Sequence, residues 1–231
     1  YGKSTGFMMT NRKNIIIAVD GPAGAGKSTV AKKLAEMLNF LYIDTGAMYR
    51  AITYKIVKKK IDINNEKELK KLLEETSLLY EDSILYLDGS PVGDEIRSDE
   101  INAKVSAVSG IDQVRKSMTD LQRIIGQTTS CILDGRDIGT VVFPQADIKI
   151  FLIADVSMRA KRRYKENLSK GMDATLDEIE KSIIERDSLD SGRELAPLIK
   201  ADDAIEIDTS SLSVDDVVSK ILNIYSEKTN V

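Results

Sequence analysis

The apolar positions along this 231-residue chain change rhythm several times. Residues 15–19 (Ile-Ile-Ile-Ala-Val) are continuously apolar and β-branched, as in a strand buried on both faces. Val30, Ala31, Leu34, Ala35 and Leu38 then recur at helical spacing among lysines, and residues 40–43 read as a second short strand. Asp44-Thr45-Gly46 combines a turn with a helix cap, predicting a helix over about 47–60. Strand, helix, strand, helix in sixty residues predicts a parallel sheet covered on both faces, with its ligand crevice at the carboxyl ends of the strands.

Beyond Asn65 that rhythm breaks. A lysine-rich amphipathic helix over 66–75 is followed by short β-prone runs at 77–80 and 84–87, a turn at Asp88-Gly89-Ser90-Pro91, and a third strand beginning at Val92. Tight antiparallel strands do not belong to a strand–helix–strand alternation, so 66–110 is predicted to be a small α+β insertion at the sheet edge. Helices are predicted over 99–108 and, capped by Asp112, over 112–127. The core resumes with strands at 130–134 and 148–153. Ser157 caps a very basic helix, and Thr175 with Glu178 forms a capping box for a helix reaching about Asp187. A last strand at 204–207 and a helix opened by Ser213 complete the pattern.

The first chemistry lies between the first strand and helix. Gly21-Pro22-Ala23-Gly24-Ala25-Gly26-Lys27-Ser28, continued by Thr29, fits G-x-x-x-x-G-K-[ST] at every constrained position. Glycines let consecutive backbone N–H groups turn toward phosphate oxygens, and the following helix presents its unpaired donors to the same charge. Lys27 then reaches the β and γ phosphates, and the Ser28 hydroxyl is placed to ligate Mg²⁺. This P-loop sits in the strand–loop–helix setting that the motif requires.

Composition narrows the partners. With 33 basic and 37 acidic residues the net charge is −4, against a general nucleic-acid or membrane-surface binder, so phosphate must be held by locally clustered cations. There is no histidine, which excludes His-based acid–base catalysis. The single Cys131 begins an apolar run and reads as a small core hydrophobe, which fits a reducing cytoplasm. No apolar stretch approaches a bilayer span. Residues 1–7 lack a signal-peptide layout and precede a plausible start at Met8 or Met9, and 1–8 reads as a cloning remnant.

Two further constellations follow. In Leu133-Asp134-Gly135-Arg136-Asp137 an acid ends a strand, where it either holds Mg²⁺ through water or is a turn residue before glycine. Arg186 and Asp190 are one helical turn apart with Arg193 just beyond, either a solvated ion pair or, with Arg136, Arg159, Arg162 and Arg163, part of a guanidinium cluster for phosphate oxygens. The cluster is the better account of so many arginines feeding one face.

Together these blocks resemble bacterial-type cytidylate kinases of the nucleoside monophosphate kinase group. The similarity runs from Ile15 to Ile224 and rests on Asp20-Gly21-Pro22 through the P-loop, Asp44-Thr45-Gly46-Ala47-Met48-Tyr49-Arg50, Asp134 to Thr140, and Glu185-Arg186-Asp187 with Asp190, Arg193 and Pro197-Leu198. The resemblance implies a three-layer P-loop NTPase fold with a parallel sheet. The core is 9–65 and 111–231, with a lid near 159–174, and 66–110 is the monophosphate-binding insertion. It implies transfer of the γ-phosphoryl group of ATP to CMP or dCMP with Mg²⁺, in a cytoplasmic monomer. Lys27, Arg136 and Arg186 would be catalytic. Thr45, Arg50, Arg136 and Arg193 would surround the monophosphate, with Arg186 and Asp190 near the ribose. Ser106, Arg115 and Asp137 would read the cytosine edge; Arg159 and Arg163 would contact ATP, and Ser28 and Asp134 the metal. A GTPase switch is excluded by the lack of Asn-Lys-x-Asp and Asp-x-x-Gly elements. A bare ATPase, or an adenylate, uridylate or shikimate kinase, are the competing readings.

Overall fold

A computed structural model describes residues 14–229; the segment 1–8 read as a cloning remnant lies outside them. The elements in order are β1 (Ile16–Asp20), α1 (Lys27–Leu38), β2 (Leu41–Asp44), α2 (Thr45–Lys58), α3 (Glu66–Glu74), β3 (Leu78–Glu81), β4 (Ile84–Leu87) and β5 (Ser90–Pro91). They continue with α4 (Asp99–Ser109), α5 (Asp112–Thr128), β6 (Cys131–Gly135), β7 (Ile148–Ile153), α6 (Val156–Ser169), α7 (Leu176–Ser191), β8 (Ile205–Asp208) and α8 (Val214–Thr229).

The main sheet has five parallel strands in the order β2-β6-β1-β7-β8. Its central strands are buried on both faces, which is why β1 and β6 carry unbroken apolar runs. One apolar cluster packs α1 and α8 on one face around Ile17, Val19, Leu34 and Ile221. The other packs α2 and α5 on the opposite face around Ile43, Met48, Ile52 and Met118. Each fully buried aliphatic side chain contributes about 1.5–3 kcal/mol relative to exposure. The antiparallel sheet β3-β4-β5 is not a separate core. Its Leu78 and Leu85, with Leu69, Leu72 and Val105 of the flanking helices, join the α2 cluster. By contrast α6 and α7 share a small cluster of Ala160, Ile179 and Ile183, little apolar surface for two long helices.

Several local expectations shift. Helix α2 starts at Thr45 rather than 47, because Asp44 Oδ1 accepts the Ala47 N–H at 2.8 Å and acts as the cap. The third hairpin strand is Ser90–Pro91, before Val92. Ile111, not Asp112, occupies the cap of α5, and Asp155 rather than Ser157 flanks α6 without a side-chain cap bond. The Thr175–Glu178 capping box is present, but α7 runs on to Ser191, carrying both Arg186 and Asp190. A π-type turn over 138–142, with no hydrophobic period to reveal it, follows β6. Among the described residues no helix is long and apolar enough to cross a membrane.

Candidate active site

Parallel register brings the carboxyl ends of three strands together: Asp20 pairs with Gly135, and Asp44 with Asp134. The 21–28 loop leaves β1 at this edge. Gly21 has φ 147° and a Cβ there would lie 2.1 Å from the Leu152 carbonyl oxygen, so only glycine lets the loop pass β7. Lys27 is buried and donates to the Pro22 carbonyl at 2.7 Å, folding across the empty curve of the loop. Burial, then the nearby Arg136, pushes its ammonium well below the usual lysine range. Ser28 Oγ donates to Asp134 Oδ2 at 2.8 Å and the Tyr42 hydroxyl to Asp134 Oδ1 at 3.0 Å. Burial, with Asp44 adding repulsion, raises Asp134 to about 6.

Beside the loop lies a cavity of about 160 Å³ whose wall carries eight basic and four acidic side chains. In a chain of net charge −4 this is a local inversion of sign. Arg136 donates to Asp190 Oδ2 at 2.8 Å, and Arg193 donates to Asp190 Oδ1 at 2.6 Å and to Ser109 Oγ at 3.0 Å. Burial alone would raise Asp190, but Arg136 and Arg193 hold it below the ordinary carboxylate range. Arg186 is left over. Its buried Nε–H has no hydrogen-bond partner, and Asp190 Oδ2 lies 3.9 Å away. Burial, then Arg136 and Arg50, pushes Arg186 down to about 9. Arg50, held by Asn102 Oδ1 at 3.3 Å and the Gly46 carbonyl at 3.4 Å, is pushed down to about 10 by burial and then Arg97. Thr45 lines the same wall, its hydroxyl donating to the Asp134 carbonyl at 2.7 Å.

At the far end Arg115 and Asp137 form a buried ion pair, with Arg115 also donating to the Ser109 carbonyl at 2.8 Å and lying 5.4 Å from the Tyr49 ring centre. Ser106 is not in this wall. It faces an adjoining cleft of about 420 Å³ between α4 and α7, while Ser109, one turn on, lines the basic cavity. Arg159 is also placed differently from a free phosphate ligand. It is buried, and its guanidinium donates to the carbonyls of Ala154 (2.9 Å) and Ala23 (3.0 Å) and to Asp187 (2.6 Å), bracing the P-loop from behind. Arg163, one turn later, is exposed and lines both cavities and the cleft.

A third space, of about 710 Å³, opens on the other side of the loop against Arg162, Thr209, Leu212 and Val214. Arg162 donates to Thr209 Oγ1 at 3.0 Å, and Thr209 donates to the Ala25 carbonyl at 3.1 Å. Thr209 stands just past β8, and strand ends line the ligand edge of such sheets, the one signal in the sequence that could have found it. Gly24, Lys27 and Ser28 line both cavities, which therefore meet at the loop.

The cytidylate kinase family profile matches residues 17–227. The chain belongs to the cytidylate kinase family. It is 52% identical over 210 residues to the cytidylate kinase of Clostridioides difficile (strain 630), covering 91% of this chain and 97% of that protein. It is 54% identical over 208 residues to that of Alkaliphilus oremlandii (strain OhILAs), covering 90% and 96%. A crystal structure of an uncharacterized protein from Eubacterium ventriosum shares the fold, with TM-score 0.52 at 18% identity, covering 93% of this chain and 99% of that one. The chain is thus an enzyme that phosphorylates CMP or dCMP with ATP. A cytidylate kinase must bring two nucleotides together end to end, and the structure has two cavities joined at one phosphate loop.

Proposed function

We propose that the basic cavity is the CMP seat and the space beside Thr209 the ATP seat, with the transferred phosphoryl group passing between them over Lys27. The observation that carries this is Arg186: its buried Nε–H has no hydrogen-bond partner among the described residues and its charge stands among other cations, an arrangement that an anion completes. Arg50, Arg136 and Arg193, joined by Thr45, hold the monophosphate, and Asp190 keeps two of those guanidiniums oriented and meets the ribose. At the base end Asp137 accepts from the exocyclic amine of cytosine and Arg115 donates to the ring nitrogen and carbonyl. Ser106 reaches the base when the cleft between α4 and α7 closes. The backbone N–H groups of residues 21–29 hold the ATP phosphates, with Arg163 closing from the lid and Arg159 fixing the loop.

The Ser28 hydroxyl and the Asp134 carboxylate, 2.8 Å apart, are hard oxygen donors on one spot, and the carboxylate is pushed up by burial and by the neighbouring Asp44. They fit Mg²⁺, which takes few protein ligands and otherwise uses water and phosphate. Bound there, the ion would neutralise charge on the phosphates. The protein's own part is positional. An ionised monophosphate oxygen needs no base, so transfer is in line, with Lys27, Arg136 and Arg186 stabilising charge on the moving group. The reading includes a monomer in the cytoplasm, and the buried thiol of Cys131 suits a reducing compartment.

An acceptor panel tests the reading. Wild-type enzyme with CMP, dCMP, UMP or AMP is expected to release ADP quickly only with the cytidine nucleotides, and not without an acceptor. Asp137→Ala is expected to lower the CMP-over-UMP preference by about 100-fold, as when a buried base-reading group loses its partner. Unchanged selectivity would remove Asp137 from the base site.

A further inference from the structure

Asp20 has no part in the chemistry above, yet it is one of the best-held carboxylates in the molecule. It ends β1, immediately before Gly21, and is 5% exposed. Its two oxygens take separate backbone donors: Oδ1 accepts the Ile138 N–H at 2.9 Å and Oδ2 the Gly139 N–H at 2.7 Å. Consecutive N–H groups aimed at one point make an anion nest, and here the protein fills its own nest. A Cβ on Gly139 would lie 3.3 Å from Asp20 Oδ2 and 3.1 Å from Lys149 Cδ, so a residue without a side chain allows this close approach.

The turn so gripped follows directly on Arg136 and Asp137. Asp137 anchors its start, its carbonyl accepting the Val141 N–H at 2.9 Å and the Val142 N–H at 3.2 Å. Beyond these bonds, Arg136 is steered by Asp190 of α7 and Asp137 by Arg115 of α5. Both partners sit on other helices, and α7 packs on a small core. Asp20 is therefore the tie between the strand that launches the ATP loop and the turn that presents Arg136 and Asp137.

We infer that Asp20 is a positioning residue for the acceptor: it fixes the 136–139 turn against the root of the P-loop, so that the cytosine and monophosphate contacts keep their distance from Lys27. This rests on the acceptor roles of Arg136 and Asp137 given above. A carboxylate is needed because only an ionised acid accepts from two amides at once, one on each oxygen.

The test is Asp20→Asn, of the same shape, in which an NH₂ group faces one of the two amides. Calorimetric titration of the purified enzyme is expected to show CMP binding weakened about tenfold, the effect of one charge-assisted hydrogen bond, with ATP affinity within about threefold of wild type. The CMP-over-UMP preference falls with it. Equal losses for CMP and ATP would make Asp20 a general structural residue and overturn the inference. Asp137→Ala, titrated alongside, separates the two readings. If it leaves CMP affinity and selectivity intact, the acceptor assignment itself fails; if it alone weakens CMP and Asp20→Asn does not, only the positioning role fails. Should Asp20→Asn not fold, hydrogen exchange on the wild-type enzyme decides. The Ile138 and Gly139 amides are expected to be protected like those of β1, and exchange at open-loop rates would refute the clamp.

Discussion

The P-loop and the basic cavity share Lys27 and Ser28, yet one is made of backbone and the other of side chains. Residues 21–28 form a short continuous segment whose shape is fixed by the Gly21 approach to β7 and by the start of α1. Apart from Lys27, its donors are N–H groups that carry no formal charge and do not repel one another. The acceptor wall instead collects arginines from α2, α5, the end of β6, α7 and the loop after it. Their charges repel, and Asp137 and Asp190 compensate only some of them. A backbone site is stable when empty; a side-chain site stores strain that its anion releases.

The largest break in this comparison is at the shared residue. Lys27→Ala is expected to lower turnover about a thousandfold or more, since on the proposed reading the phosphoryl group passes over this ammonium. The fold should survive, because among the described residues the ammonium donates to the Pro22 carbonyl of its own loop and to no other element. Steady-state ADP release together with a circular dichroism melt checks both halves; near-normal turnover would place the chemistry elsewhere.

Arg186→Met separates the two kinds of site. A guanidinium does not titrate at working pH, so the downward push on Arg186 measures strain on its charged form. Replacing it by an apolar chain of similar volume should stabilise the ligand-free protein by about 1–2 kcal/mol while kcat/KM for CMP falls about 100-fold. A lower melting temperature in the ligand-free variant would show that the cation is satisfied after all.

This division also explains what could be read from the chain. The P-loop was legible because its chemistry is contiguous, and the parallel sheet because β1, β6 and β7 are buried on both faces. The 66–110 insertion was visible as a broken period, and its antiparallel strands are there. Arg136, Arg163, Arg186 and Arg193 could be grouped from the segments that feed one face, while Arg50 and Arg115 were placed only by resemblance, since strand order and helix register, not spacing, bring them to the same wall. Arg159 and Ser106 show the limit. Both lie on helices at the site, but whether a guanidinium points into the cavity or grips the Ala23 carbonyl is decided by packing of α6 against the loop. The bonding of Asp20 escaped because its partners are backbone groups, which leave no mark in a side-chain sequence, and Thr209 because only its place past β8 marks it.

The smallest expected effect is on the carboxylate between the two sites. Asp134 has its native pKa near 6, against about 3.9 when unfolded, because it is buried and repelled by Asp44. The folded state therefore binds this proton more tightly than the unfolded chain, and the acid costs stability that is fully felt above pH 6 and vanishes below about pH 4. Two pH units correspond to about 3 kcal/mol. That figure already contains the attraction of Lys27 and is an upper bound, since water and relaxation screen a buried charge, so roughly 1 kcal/mol is expected. In the metal-free protein Asp134→Asn should thus raise the melting temperature at pH 8, and the gain should shrink to nothing by pH 4. Ser28 and Tyr42 can keep their hydrogen bonds to the amide, since a hydroxyl rotates to accept as readily as to donate. Added Mg²⁺ should then stabilise wild type at pH 8 and not the variant. A gain equal at both pH values would mean that Asp134 is already compensated in the folded chain, and that the strain at the phosphate edge belongs to the arginines alone.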